Sequence, residues 1–310
     1  MNQSPSFEQI MQKLAPTIDR LEQVRSELFR DAKNKSMLYG GLTIVISLIV
    51  SLIATSTPAY GLLFGFLLVI LETTILFNIR GNRLSPKYKK ELIGKMVEEL
   101  IENGNYQPEA GISEASFNET GLFNSPDRYH SEDLISGQTG KTPFCFAEVH
   151  AEEKHTTTNS KGQTRTYWET LFKGFMFIAD FNKDFNGHTI ILRDSFLNFA
   201  RGNRVKLENT AFEKLFDVFS TDQIEARYIL TPSMMERMIK LDELSGNNIL
   251  FSFHHSKIVI MIKTSRNHFE SKLTRPVNET KTLQEEYDTI TGLTSIVEAL
   301  DLNTRIWSKE

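Results

Sequence analysis

Cysteine is all but absent: Cys145 stands alone in 310 residues. A single thiol excludes a disulfide framework, a CxxC redox pair and a cysteine-built zinc site. Excess positive charge is absent as well. The formal balance is −4, which argues against nucleic acid as a partner. The common catalytic fingerprints are missing too. There is no GxxxxGK phosphate loop, no GxSxG elbow and no HExxH helix. The stretch Gly137 to Thr142 ends in GKT but lacks the loop spacing and precedes a strand instead of opening a helix. No internal repeat is visible, and no cofactor is implied. The most informative absence is that of charge from two long runs near the N-terminus.

Met37 to Ala54 is eighteen residues with no charge, and Tyr60 to Ile79 is twenty residues with one, Glu72. A bilayer core about 30 Å thick needs about 20 apolar residues in a helix. Helices and closed barrels are the structures that satisfy their backbone in lipid. Five residues, Thr55 to Ala59, join the runs. The expectation is a transmembrane helical hairpin over 37–79, with spans 37–54 and 60–79. Thirty-six mostly polar residues come first, so the position excludes a signal peptide.

Orientation follows from the flanks. Arg20, Arg25, Arg30, Lys33 and Lys35 precede the first span; Arg80, Arg83, Lys87, Lys89 and Lys90 follow the second. The turn has no positive charge. Positive flanks stay on the cytoplasmic side, which places a multi-pass protein in the cell membrane with both termini cytoplasmic. The bilayer is the first partner, and basic residues at its edge can meet anionic headgroups.

Small residues mark one face of each span. Gly40, Thr43, Ser47, Ser51 and Ala54 recur at steps of three and four, and Gly61 with Gly65 makes a GxxxG pair that lets backbones approach. Glu72 shares the Gly61 and Gly65 face, because eleven residues are close to three turns. An antiparallel hairpin turning near Thr57 puts Glu72 at the depth of Thr43. Glu72 should therefore face the first span or a partner helix, with a homo-oligomer through the hairpin as one outcome. An intramembrane carboxylate is a functional candidate. The blander role, fixing helix pairing through a hydroxyl such as Thr43 or Ser47, is favoured because one acid makes no relay.

Residues 1–36 carry apolar positions at helical spacing, from Phe7, Ile10, Met11 and Leu14 to Ile18, Leu21, Val24 and Leu28. Pro16 should kink or split this amphipathic segment. Residues 80–310 read as one cytoplasmic domain. Ser85-Pro86 has the look of a helix start, and that helix should end at Gly104. Asn105 to Thr142 reads as turns and short extended pieces anchored by Ile112, Phe117, Phe123 and Tyr129. Strands follow at Phe144 to His155, at Thr164 to Phe172 and, after a break at Gly174, at Phe175 to Phe181, with a polar tip at Thr156 to Gln163. Asn186-Gly187 signals a tight turn before a strand in HTIILRD. A further strand is expected at Ile224 to Leu230, a helix from Pro232 to Gly246, a hairpin over Ile249 to Ile262 and a helix over Thr282 to Leu300. Mixed signals without regular βαβ alternation point to an α+β fold: an N-terminal helix and membrane hairpin, then a mostly antiparallel sheet with flanking helices.

The best polar constellation lies on the first long strand. Glu148, His150 and Glu152 alternate and so share one face. A histidine between two carboxylates can ligate a divalent metal or move protons. A solvated sheet face is the commoner meaning of such a pattern. His150 and His155 should point to opposite faces, and His254 and His255, adjacent in a turn, to the surface. Asp194-Ser195 has no histidine that spacing assigns to it.

Taken together, the two spans and the segments SGQTGKTPFCFAEVHAEE, LFKGFMFIADFNKDFNGHTIILRD, FDVFSTDQIEARYILTPSMMERMIKLDEL, NNILFSFHHSKIVIMIK and ALDLNTRIW resemble the bacterial membrane family known as domain of unknown function 3137. The resemblance runs from about Tyr39 to Trp307. It implies a two-span anchor and a cytoplasmic α+β domain, and it implies no activity and no catalytic residue. The functional expectation is a membrane-tethered interaction or scaffold module. The alternative is a membrane-bound enzyme or a ligand or metal sensor with a pocket near Glu148, His150 and Glu152.

Overall fold

The computed structural model describes residues 5–55, 57–158, 162–181, 183–193, 202–246 and 248–303. The expectations for Asp194-Ser195 and for the end of the ALDLNTRIW segment lie outside them, as does the very tip of the Thr156 to Gln163 loop. The chain forms two compact units: Met1–Met96 with Phe269–Tyr287, and Val97–His268 with Asp288–Glu310.

The first unit is built on two long helices, α1 (Phe7–Thr55) and α2 (Pro58–Tyr88), which pack against each other as a hairpin. Pro58 opens α2, where its missing N–H is no loss. Pro16 does not split α1, contrary to expectation. Ile10 and Leu14 on one side of it and Ile18 and Leu21 on the other are all buried, so packing carries the helix across one lost hydrogen bond. Within this unit Lys95 donates to Thr17 Oγ1 at 3.1 Å, and the Phe7 and Tyr287 rings meet edge to face at 5.6 Å.

Ser85-Pro86 does not start a new helix either. The helix continues and relaxes into one π-helical turn, Lys89–Ile93, before α3 (Gly94–Leu100). Proline removes a backbone donor, and a wide turn is one way to absorb that. The inserted residue keeps Leu84, Tyr88, Leu92, Ile93 and Met96 on the buried side. It also buries Lys89, whose Nζ lies 2.7 Å from Glu270 Oε1. Lys89 is thus not at a headgroup surface, as its place in the basic flank suggested. Arg80 is buried too, with Nε and Nη2 on Asp31 Oδ2 at 3.0 and 2.8 Å.

The second unit holds a nine-stranded open sheet, every neighbouring pair antiparallel. In chain order the elements after α3 are β1 (Glu102–Gln107), α4 (Glu114–Glu119), β2 (Arg128–Thr139), β3 (Thr142–Thr158), β4 (Thr164–Asp180), β5 (Thr189–Leu192) and β6 (Asn203–Val205). Then come α5 (Thr210–Glu213), β7 (Asp217–Ser220), α6 (Gln223–Ile229), α7 (Pro232–Leu244), β8 (Ile249–His254), β9 (Lys257–Lys263), α8 (Thr280–Thr294) and α9 (Ile296–Ala299). The sheet order is β1-β2-β3-β4-β9-β8-β5-β7-β6. One face buries Ala147, Val149 and Ala151 with Phe172, Met176 and Met261. The opposite parity carries a phenylalanine cluster in which Phe177 lies 5.6 Å from Phe144 and 6.4 Å from Phe146.

Several local readings are corrected. Asn105 to Thr142 contains two strands rather than loose pieces, with Asp133 at φ 60 where β2 breaks register. Helix α3 stops at Leu100, short of Gly104. Asn186-Gly187 does not join hairpin neighbours, because β4 pairs with β9 while β5 pairs with β7 and β8. Ile224 to Leu230 is helix α6 rather than a strand. Asp222 caps it by accepting from the Ile224 and Glu225 amides at 2.8 and 3.1 Å. The last helix is interrupted at Ser295. The GKT stretch forms the tight β2–β3 turn, with Gly140 at φ 59.

Candidate functional site

Two long helices in this chain are long and apolar enough to cross a membrane, and only 11% and 6% of their most apolar stretches are buried. Leu42, Ile49, Leu63, Phe64 and Phe66 are each more than half exposed. Inside the hairpin the small residues are used for close approach. A side chain begun at Gly61 would meet Ser47 O at 2.6 Å and Leu48 Cα at 3.0 Å, and one at Gly65 would collide with Ser47 Oγ. Ser47 Oγ itself donates to Ile44 O at 2.9 Å. Thr43 Oγ1 lies 2.8 and 3.0 Å from the two Glu72 carboxylate oxygens, at the depth that the hairpin register implied. Beside this pair runs a mostly apolar furrow of about 490 Å³, lined by Ile46, Val50, Phe64 and Leu68 together with Thr43, Ser47 and Glu72.

Glu148, His150 and Glu152 share a face of β3, but their side chains do not converge. Glu148 is buried and accepts from the His268 amide at 2.6 Å. Glu152 Oε2 lies 3.1 Å from Arg128 Nη1, whose guanidinium sits 3.9 Å over the Trp168 ring. His150 Nε2 is 4.0 Å from Glu152 Oε1. Both carboxylates are therefore engaged by groups other than the histidine. Cys145 is partly buried and burial raises its thiol pKa, so it is a poor nucleophile.

His254 is the residue the sequence placed wrongly. It is buried, because the turn is made one residue later by His255 and Ser256, both with positive φ (48 and 56). Ser252 Oγ donates to Thr120 O at 2.8 Å and lies 3.2 Å from His254 Nδ1 and 3.0 Å from His188 Nε2. His188 Nε2 also lies 2.9 Å from Thr120 O, so the carbonyl, the hydroxyl and the two imidazoles form one connected cluster. Ser252 is fully buried, so this Ser–His cluster is a core network and not a nucleophile with its base.

The network has a pH signature. Burial, reinforced by the nearby charges of His188, His255 and Lys257, lowers the His254 pKa to about 4. An unfolded histidine titrates near 6.5, so between those values the unfolded chain binds more protons. Stability is complete above pH 6.5 and falls as pH drops through that window. The loss should reach about 2 kcal/mol at the acid end. Denaturant unfolding of the wild type against His254→Gln at pH 7 and 4.5 should show that difference; equal slopes would refute it.

The sequence comparisons extend this picture only partly. Residues 170–302, from within β4 to just past α9, are similar to the family described as protein of unknown function (DUF3137). The match is narrower than the motif resemblance and does not reach the two long helices. No curated protein matches the chain. Among solved structures, the crystal structure of the mycobacterial trehalose monomycolate transport factor A, TtfA, is similar over 63% of this chain and 88% of that chain, at 8% identity and a TM-score of 0.30. A likeness that slight says nothing about activity.

Proposed function

We propose that this protein is a membrane-anchored interaction or scaffold module. Its hairpin, 37–79, spans the membrane of a bacterial cell, both termini face the cytoplasm, and the α+β domain is presented there to protein partners. The exposure of the two apolar helices carries this reading. In water, a contiguous apolar surface of that size drives association; in lipid the same surface is solvated by acyl chains. Basic flanks on one side and an uncharged turn on the other set the orientation. Fractionation tests the anchor: the full chain should stay with the membrane pellet after alkaline carbonate washing, and recovery in the supernatant would contradict it.

The hairpin is further proposed to pair with a second copy along the furrow beside Glu72. Small residues along the furrow, Gly61 and Ala54 among them, let a further helix approach closely. Native mass spectrometry from detergent should show a dimer; monomer alone would exclude it. Glu72 serves in this reading as a helix clip. Glu72→Gln keeps an acceptor for Thr43 and should change hairpin stability by no more than about 0.6 kcal/mol, read as an unchanged thermal midpoint in detergent. A drop of several degrees would assign the charge itself a larger part.

A further inference from the structure

Beyond the body of the sheet, β3 and β4 continue as a two-stranded arm. The β2 pairing ends at Arg128 opposite Glu152, and the β9 pairing ends at Lys263 opposite Gly174. From Thr164 to Thr170, β4 pairs with β3, and among the described residues no strand lies along its other edge. Every residue of this segment is exposed, Tyr167 and Trp168 included. An open edge presents unpaired backbone groups, a template for a further strand, and native edges are commonly blunted with lysine or proline. This one has neither. The edge of β3 is guarded instead. There the Asp127 amide donates to Glu152 O at 2.9 Å, and Asp127 Oδ2 accepts from the Lys154 amide at 2.7 Å.

The open edge is complementary to itself. It is bounded by Gly162, in the left-handed region at φ 77, and by a register shift that passes over Leu171. Tyr167 stands midway between Thr164 and Thr170. Laid antiparallel against a second copy about Tyr167, Thr164 faces Thr170, Arg165 faces Glu169 and Thr166 faces Trp168, each pair occurring twice. Opposite charges and paired threonines across antiparallel strands are favourable. A shift of one residue sets Arg165 against Trp168 or Thr170 and loses the charge pairs. Within the arm, Glu153 stands opposite Glu169, and like charges so placed are destabilising. Arg165 of the second copy brings a cation to that spot. Glu169 can receive it: its side chain is 63% exposed, although Oε2 lies 3.1 Å from His155 Nε2.

We propose that two copies of this chain join along this edge, as one antiparallel β4–β4 pair centred on Tyr167. The two arms then form one continuous ribbon. The same patch serves on both copies, so the contact closes at a dimer. It also gives each arm the further strands it lacks; a lone two-stranded ribbon is marginal in water. The contact uses none of the residues of the hairpin furrow, so either can fail without the other.

Disulfide trapping of the full chain in detergent, in a Cys145→Ser background, reads this contact. Facing residues of an antiparallel pair have Cα atoms about 4.5–5.5 Å apart, within reach of a disulfide. Tyr167→Cys should therefore give cross-linked dimers on mild oxidation. Thr157→Cys, exposed on β3 opposite Arg165 and so one strand further from the axis, should stay monomeric. Adding Arg165→Glu or Glu169→Arg to Tyr167→Cys should cut the yield about fivefold, because each sets like charges face to face twice. Mixing those two chains should restore it, because each supplies the charge the other lacks. Failure of Tyr167→Cys to cross-link, equal cross-linking through Thr157→Cys, a yield indifferent to the charge changes, or a mixture no better than its components would overturn the proposal. A dimer by native mass without this cross-link would leave the hairpin contact standing and remove this one.

Discussion

Arg193→Ala should destabilise the folded domain by about 3–5 kcal/mol, the usual result of stranding a buried charge. Asp242, on α7, is fully buried, and Arg193 Nη1 lies 2.8 Å from its Oδ2. Desolvation raises the Asp242 pKa while the Arg193 charge opposes it. Removing the guanidinium leaves a carboxylate with no water to replace its partner. Chemical denaturation of the full chain in detergent measures the loss. The paired substitution Arg193→Met with Asp242→Leu should recover most of it, because replacing both members by apolar groups is often close to neutral. A single-variant loss below about 1 kcal/mol, the usual limit for a solvent-exposed pair, would place the pair outside the core.

Gly61→Leu should open the helical hairpin. The new side chain begins 2.6 Å from Ser47 O and 3.0 Å from Leu48 Cα. Both are backbone atoms of a helix and cannot step aside. Overpacking of this kind costs about 1–3 kcal/mol or more, roughly tenfold or greater in the closed population. The hairpin supplies its own reporter. A Cβ at Gly40 would lie 3.8 Å from Val69 Cβ, the usual separation in a disulfide. In a Cys145→Ser background, Gly40→Cys with Val69→Cys should therefore oxidise readily within one chain. Adding Gly61→Leu should cut that yield about tenfold, and an unchanged yield would show that the helices do not depend on this contact.

Legibility in the sequence followed the range of the interaction. The hairpin was readable because two long apolar runs flank a five-residue connection, and its internal register followed from counting back from the turn. Thr43 and Glu72 meet for that reason. The antiparallel character of the sheet was readable from the β3–β4 and β8–β9 hairpins. What local patterns concealed was non-local pairing. Strand β2 is polar along much of its length and is strand because β1 and β3 flank it. Helix α6 looked like a strand because apolar spacing outweighed the Asp222 cap. Lys89 looked like a membrane-edge charge until Glu270, distant in sequence, supplied its partner.

The candidate sites show the same division. Alternation along β3 correctly put Glu148, His150 and Glu152 on one face, but one strand cannot reveal which carboxylates have other partners. His268 and Arg128 take two of them. His254 was misplaced because a turn at His255-Ser256 needs positive φ at two non-glycine residues, which propensity disfavours.

The central claim is that a lipid-inserted hairpin holds the α+β domain on the cytoplasmic side. Single cysteines in a Cys145→Ser background test it in intact and permeabilised bacterial cells with a membrane-impermeant maleimide. Ala59→Cys, exposed in the first turn of α2 beside the connection between the long helices, should react in intact cells, and Glu243→Cys, on the exposed side of α7, only after permeabilisation. Labelling of Glu243→Cys from outside, or protection of Ala59→Cys until the cells are opened, would contradict it.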